Sequence, residues 1–129
     1  MDDGNEQRIP NSPALTPAAF HILLALADAE RHGYGIMQDV AWRTGGAMRL
    51  SSGTLYRSIK QLLGAGLIAE SDERPDPALD DERRRYYRLT AAGRRAAEAE
   101  AARLDQLVGI ARAKRLLRPR PAMADGGAR

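Results

Sequence analysis

The sequence predicts a mainly α-helical fold with one small β-hairpin and a long C-terminal helix, and three stretches carry that expectation. Residues 51–68 read as an amphipathic helix that stops at Gly66 and passes into a short strand, Leu67-Ile68-Ala69. Residues 85–90, Arg-Tyr-Tyr-Arg-Leu-Thr, read as a returning strand followed by a helix cap. Residues 91–116 hold a lengthwise apolar stripe for which so short a chain has no second helix of equal length. Helix, strand, polar arm, strand and helix in this order make a winged helix-turn-helix with a long helix appended.

The first elements follow from caps and breaks. Residues 1–14 lack apolar periodicity and contain Pro10 and Pro13, which predicts a flexible tail. Thr16-Pro17 opens the first helix, with threonine as the cap and proline at the first helical position, where its missing N–H costs nothing. Leu15 and Phe20 have the spacing of a hydrophobic staple, and Phe20, Leu23, Leu24 and Ala27 are assigned to the core face. Arg31-His32-Gly33 breaks this helix from a second, Tyr34 to about Thr44, with the stripe Tyr34, Met37, Val40 and Ala41. Gly45-Gly46 ends it, and Ala47-Met48-Arg49-Leu50 is a turn anchored by Leu50.

In the third helix Ser51 is the cap, and Leu55, Ile59, Leu62 and Leu63 recur at i, i+4, i+7 and i+8, a face that must be buried. The opposite face carries Ser52, Gly53, Thr54, Tyr56, Arg57 and Lys60: hydroxyls, one aromatic and two cations, with no carboxylate. Such a surface suits phosphates and base edges. The plainer alternative is an ordinary surface helix with a basic outer side. In 85–89, alternation puts Tyr87 and Leu89 on one face and Tyr86 and Arg88 on the other. Between the strands, residues 71–82 hold two prolines and six carboxylates, which predicts a solvated arm.

The last helix runs from Ala91 to about Leu116, capped by Thr90. Ala97, Ala101, Leu104, Val108 and Ala111, with Leu107 beside them, alternate steps of four and three, the pattern of a helix packed along another. The economical partner is the same helix of a second copy, helped by the first helix; the alternative is a helix folded back on its own domain. Pro119, Pro121 and Gly126-Gly127 predict a disordered basic tail over 117–129. The expected division is therefore a tail at 1–14, a winged helix-turn-helix at 15–90, a dimerisation helix at 91–116 and a second tail.

Composition narrows the chemistry. At 129 residues the chain makes one domain, and zero cysteines remove disulfides, thiolate catalysis and cysteine-ligated zinc. His21 and His32 lie eleven residues apart, not at the i, i+4 spacing of a helical metal pair, and neither a Gly-x-Ser-x-Gly elbow nor a phosphate loop occurs. No catalytic residue, metal or cofactor is assigned. Residues 20–27 form the longest apolar run, interrupted by His21 and too short for a membrane span. The acidic Met1-Asp2-Asp3-Gly4-Asn5-Glu6 is unlike a signal peptide, so a cytoplasmic protein is expected. Net charge is +3, with +4 over residues 31–66 and +3 over 91–116, which concentrates positive charge on the candidate reading unit and on the C-terminal helix.

Four motifs also resemble one family: Gly33-Tyr34-Gly35-Ile36 opening a helix, Ser51–Lys60 with its Gly-Thr-Leu-Tyr-Arg core, Gly66-Leu67-Ile68, and Arg85-Tyr86-Tyr87-Arg88-Leu89-Thr90 followed by Gly93. In this order they are similar to the PadR family of bacterial transcriptional regulators over roughly residues 15–116. One departure is Ser52, where many members have proline. The resemblance implies a dimeric protein that binds double-stranded DNA at an inverted-repeat operator, usually a repressor released by a small molecule. It also implies an effector cavity between the first and last helices, where Phe20, Leu24 and Leu104 could accept a small apolar or aromatic compound.

Roles then follow from reach. Tyr56 and Lys60, one turn apart, are assigned to phosphates, with Ser51, Ser52 and the helix N-terminus adding donors. Thr54 and Arg57 stand nearer the groove floor, where Arg57 could take guanine bidentately, and Gly53 completes the DNA-binding face. Arg83, Arg84, Arg85 and Arg88 form a basic stem for the arm. Two alternatives stay open: Tyr56 as a core residue, and the whole fold as a protein-interaction module, since Asp72–Glu82 would repel phosphates if it lay against them.

Overall fold

A computed structural model of the chain describes residues 15–71 and 85–118. The two predicted tails and the acidic arm fall outside these residues, except for their edges, and so do Arg83 and Arg84. The elements are α1 (Pro17–Leu26), β1 (Arg31–His32), α2 (Gly33–Arg43), α3 (Ser52–Gly64), β2 (Ile68–Glu70), β3 (Tyr86–Leu89) and α4 (Ala91–Ala113). They form a winged helix-turn-helix with a long C-terminal helix.

Helix α1 begins where its cap predicts, with the Thr16 hydroxyl accepting from the Ala19 N–H at 3.0 Å. Its buried residues are Ala19, Ile22, Leu23, Ala25 and Leu26. Of the expected face only Leu23 is buried; Phe20 and Ala27 are half-buried and Leu24 is 37% exposed. The segment is apolar on nearly every side, so periodicity does not fix its phase. Ile22 and Leu26, one turn apart and branched, take the inner row instead.

The break at Arg31-His32 is a two-residue strand. β1 pairs antiparallel with β3, Arg31 opposite Tyr87 and His32 opposite Tyr86, and β2 pairs with the other edge of β3, giving the order β1-β3-β2. His32 also caps α2, its Nδ1 accepting from the Gly35 N–H at 2.9 Å, and its ring meets Tyr86 edge-on at 5.2 Å.

In α2 the inward stripe is Gly33, Ile36, Met37 and Val40 rather than the expected row through Tyr34 and Ala41. The reason is steric. The Tyr56 ring lies on Gly33 so closely that a Cβ there would stand 2.8 Å from its Cζ, so position 33 faces inward and Tyr34 is turned out, 58% exposed. Gly45 and Gly46 follow with φ of +62° and +87°, a backbone region that glycine enters at little cost. The Thr44 hydroxyl closes the turn, accepting from the Met48 N–H at 3.0 Å and donating to the Val40 carbonyl at 2.9 Å.

Helix α3 follows its pattern in three of four positions. Ser51 Oγ accepts from the Thr54 N–H at 3.1 Å, Leu55, Ile59 and Leu62 are buried, Leu63 at the edge of the face is only half-buried, and Gly66 at φ +76° stops the chain after the helix. With Ile22, Leu23, Ile36, Val40, Leu50, Ile68 and Tyr87 they make one core. Burying each large aliphatic of this set contributes roughly 1.5–3 kcal/mol.

The start of α4 is locked to the end of α3. Thr90 Oγ1 accepts from the Gly93 N–H at 3.0 Å and donates to the Gly66 carbonyl at 2.7 Å, while the Thr90 N–H donates to the Leu67 carbonyl at 3.1 Å. Gly93 lies flat on that carbonyl: a Cβ would overlap Leu67 O and stand 2.8 Å from Leu89 Cδ1. On the other side Arg94 donates to the Ala27 carbonyl at 2.9 Å, tying the same turn to the end of α1.

Candidate nucleic-acid interface

The sequence-predicted residues of α3 gather on one outward surface. Ser51, Ser52, Gly53, Arg57 and Lys60 are exposed, Thr54 is half-buried among them, and no carboxylate interrupts the face. A short hydroxyl chain organises its N-terminal end. Thr54 Oγ1 accepts from Ser51 Oγ at 3.2 Å and from an Arg57 guanidinium N–H at 3.5 Å, so Arg57 is drawn along the first turn of the helix. Ser51 thus serves both as cap and as the start of a polar edge. Lys60 has no hydrogen-bond or ion-pair partner among the described residues and is free to meet an anion.

Tyr56 stands apart from this group. It is half-buried and packs on the core with its ring over Gly33, as the core alternative for this position has it. Its hydroxyl lies at the start of α2, which joins the first turn of the reading helix to the neighbouring helix.

The strands supply two more cations. Arg88 on β3 is exposed and lies opposite Ala69 in the register. Arg85 is held by Glu70 at 3.4 Å, with both side chains about half exposed. Such a surface pair is worth at most about 1 kcal/mol, so a phosphate could displace the carboxylate.

The predicted dimer stripe divides in two. Ala97 is half-buried against the domain's own core, whereas Ala101, Leu107 and Val108 are exposed and Leu104 and Ala111 half-buried. At the boundary Glu100, 8% exposed, is gripped by both forks of Arg103, and that hydrogen-bonded guanidinium holds its carboxyl below the ordinary carboxylate range. Past Glu100 none of the row belongs to the described core, and Leu107 and Val108 are exposed.

Of the predicted effector residues, Phe20 and Leu104 are half-buried and Leu24 is exposed. An open concavity of about 730 Å³ lies elsewhere, on the outer side of α2. Among the described residues no group of three or more His, Cys, Asp or Glu is placed to hold a metal, and no described helix is long and apolar enough to cross a membrane.

Comparison with known proteins agrees with this architecture. The chain shares 39% identity over 87 residues with Transcriptional regulator Rv3488 of Mycobacterium tuberculosis, covering 67% of this chain and 75% of that protein. Its fold superimposes on a PadR family transcription regulator of Clostridium difficile with a TM-score of 0.62 at 22% identity, covering 75% of this chain and 96% of the other. It also superimposes on Bordetella bronchiseptica BpsR, whose DNA binding is regulated by 6-hydroxynicotinic acid, with a TM-score of 0.57 at 28% identity, covering 81% and 69%. Residues 22–99, from the buried face of α1 to the first turns of α4, match the Transcriptional regulator PadR-like family, and the chain belongs to that family.

Proposed function

We propose that the protein is a homodimeric, sequence-specific DNA-binding repressor that recognises an inverted repeat, one half-site per subunit. The observation that carries this reading is the outer face of α3, where Ser52, Gly53, Arg57 and Lys60 are exposed together with no carboxylate among them. A carboxylate-free cationic helix face beside unpaired first-turn N–H groups fits the major groove and its phosphate walls. Lys60 and the exposed Arg88 meet phosphates, Thr54 and Arg57 approach base edges, and the free stretch of α4 joins two subunits so that their α3 helices stand about one DNA turn, ~34 Å, apart. Release by a small apolar or aromatic molecule is supported by the small-molecule control of BpsR.

A mobility-shift assay against the DNA upstream of the protein's own gene tests the reading. A shift at an inverted repeat that exceeds random DNA is the expected result. Equal affinity for both would count against sequence recognition, and no shift at low salt would favour a protein-interaction module.

Within α3 the work divides. Lys60→Ala is expected to weaken binding to every sequence and to lower the salt slope by about one unit. Arg57→Ala is expected to cost roughly 1–3 kcal/mol and relax preference at one base position. Titrations of single-base operator variants decide it: unchanged specificity in Arg57→Ala would remove Arg57 from base readout.

A further inference from the structure

The outward side of α2 carries residues for which α3 leaves no role. Tyr34, Gln38 and Trp42 follow at i, i+4 and i+8, and all three are exposed, Trp42 by 83%. Their row ends at the Gly45-Gly46 turn, which folds the chain back so that an Arg49 Nη lies 3.2 Å from where a Cβ on Gly46 would stand. Trp42, Gln38, the two glycines and Arg49 line the open concavity together with Arg31 and Asp39.

The charges of this patch are unequal in their freedom. Asp39 is paired with Arg43 at 2.7 Å and Arg31 at 3.5 Å, and Asp28 with the same two guanidiniums at 3.2 and 3.4 Å. Both carboxylates are thereby neutralised. Arg49 has no hydrogen-bond or ion-pair partner among the described residues, so the rim keeps one uncommitted cation beside one bare indole. Arginine with exposed tryptophan is the composition of a contact surface rather than of solvated protein.

Position in the chain selects the partner. Arg49 stands two residues before Ser51, the cap of α3, and so flanks the helix end whose hydroxyls and free N–H groups make up the reading face. A cation at that place continues the positive face toward the phosphate run that borders the groove. On the DNA-binding reading of α3, we propose that Arg49 and Trp42 form a second backbone contact, which grips the duplex just outside the half-site. Arg49 holds a phosphate, and the Trp42 indole covers the sugar beside it.

Trp42 is the chain's one tryptophan, so fluorescence excited at the red edge of the indole band, where the four tyrosines do not absorb, reports this patch alone. The full-length protein is titrated with an operator duplex extended by about five base pairs, half a helical turn, at each end, and with one trimmed to the half-sites. Acrylamide quenching of Trp42 is expected to fall on binding the extended duplex and to stay as in free protein on the trimmed one. Arg49→Ala is expected to lower affinity for the extended duplex about tenfold and its salt slope by about one unit, leaving the trimmed duplex unaffected. Arg49→Lys should retain the slope. Because both side chains are exposed, the variants keep their fold, which circular dichroism verifies. Wild-type binding to both duplexes with no change in quenching and no effect of Arg49→Ala would overturn the inference while leaving α3 as the reader. Failure of wild type to bind either duplex would overturn the reading of α3 and this contact with it. Quenching protection by another protein, with none from DNA, would assign the patch to a protein partner instead.

Discussion

Gly93→Ala is expected to lower the thermal midpoint by roughly 5–15 °C, although alanine is the better helix former by about 1 kcal/mol. The added methyl would overlap the Leu67 carbonyl oxygen and press on Leu89 Cδ1. Leu67 is backbone, and its oxygen is already held by the Thr90 N–H, so neither side can give way cheaply. Overpacking against such a neighbour sits at the upper end of the usual 1–3 kcal/mol range, which outweighs the propensity gain. Gly109→Ala, in the same helix with open space where its Cβ would go, is the control and should stabilise by about 0.5–1 kcal/mol. Melts of the two variants beside wild type check both signs. An unchanged midpoint in Gly93→Ala would mean that α4 is not seated on Leu67.

Leu104→Glu is expected to convert the proposed dimer into a monomer. Leu104 is half-buried at the point where α4 leaves its own domain, with exposed Leu107 and Val108 on the next turn. In a two-fold seam the substitution acts twice, placing two like charges in one desolvated strip. Each buried unpaired charge costs several kcal/mol, and at about 1.4 kcal/mol per decade the dimer constant weakens by roughly a hundredfold or more. The domain core of Leu23, Val40, Ile59 and Leu62 should keep each monomer folded. Operator affinity should drop with dimerisation, because two linked half-site contacts become two independent ones. Sedimentation decides the matter: a persisting dimer would move the interface to α1.

The legible parts of this fold are those with a strong period or a cap. In α3 the polar outer residues contrast with Leu55, Ile59 and Leu62, so periodicity alone sets the phase, and Thr16, Ser51 and Thr90 each mark a helix start that the structure shows hydrogen-bonded. α1 offers no such contrast, and its phase is decided by how Ile22 and Leu26 fit the helices packed on it. β1 is too short to have a period: Arg31-His32 becomes a strand only because Tyr86-Tyr87 lies beside it. Tyr34 looked apolar enough for the core, but the Tyr56 ring makes position 33 the inner one. The outer face of α3 was legible as a candidate site because its residues are contiguous in sequence. The patch at Trp42 and Arg49 was not, since only the Gly45-Gly46 turn brings those two to one rim.

The seating of α4 has a mechanical consequence. Among the described residues its packing on the core ends with Ala97, after the turn held by Thr90, Gly93 and Arg94, while the whole helix is 23 residues, or about 34 Å, long. It is a cantilever, and angles at its root become distances at its tip. A tilt of about 5° at Gly93 displaces Val108 by roughly 2 Å, given a rise of about 1.5 Å per residue. In a two-fold assembly joined at such tips the displacement is doubled across the pair, on the order of the ~3.4 Å rise of one DNA base pair. In the proposed dimer the small group of bonds at Gly66, Leu67 and Ala27 would therefore set how far apart the two subunits place their α3 helices, at a site remote from both.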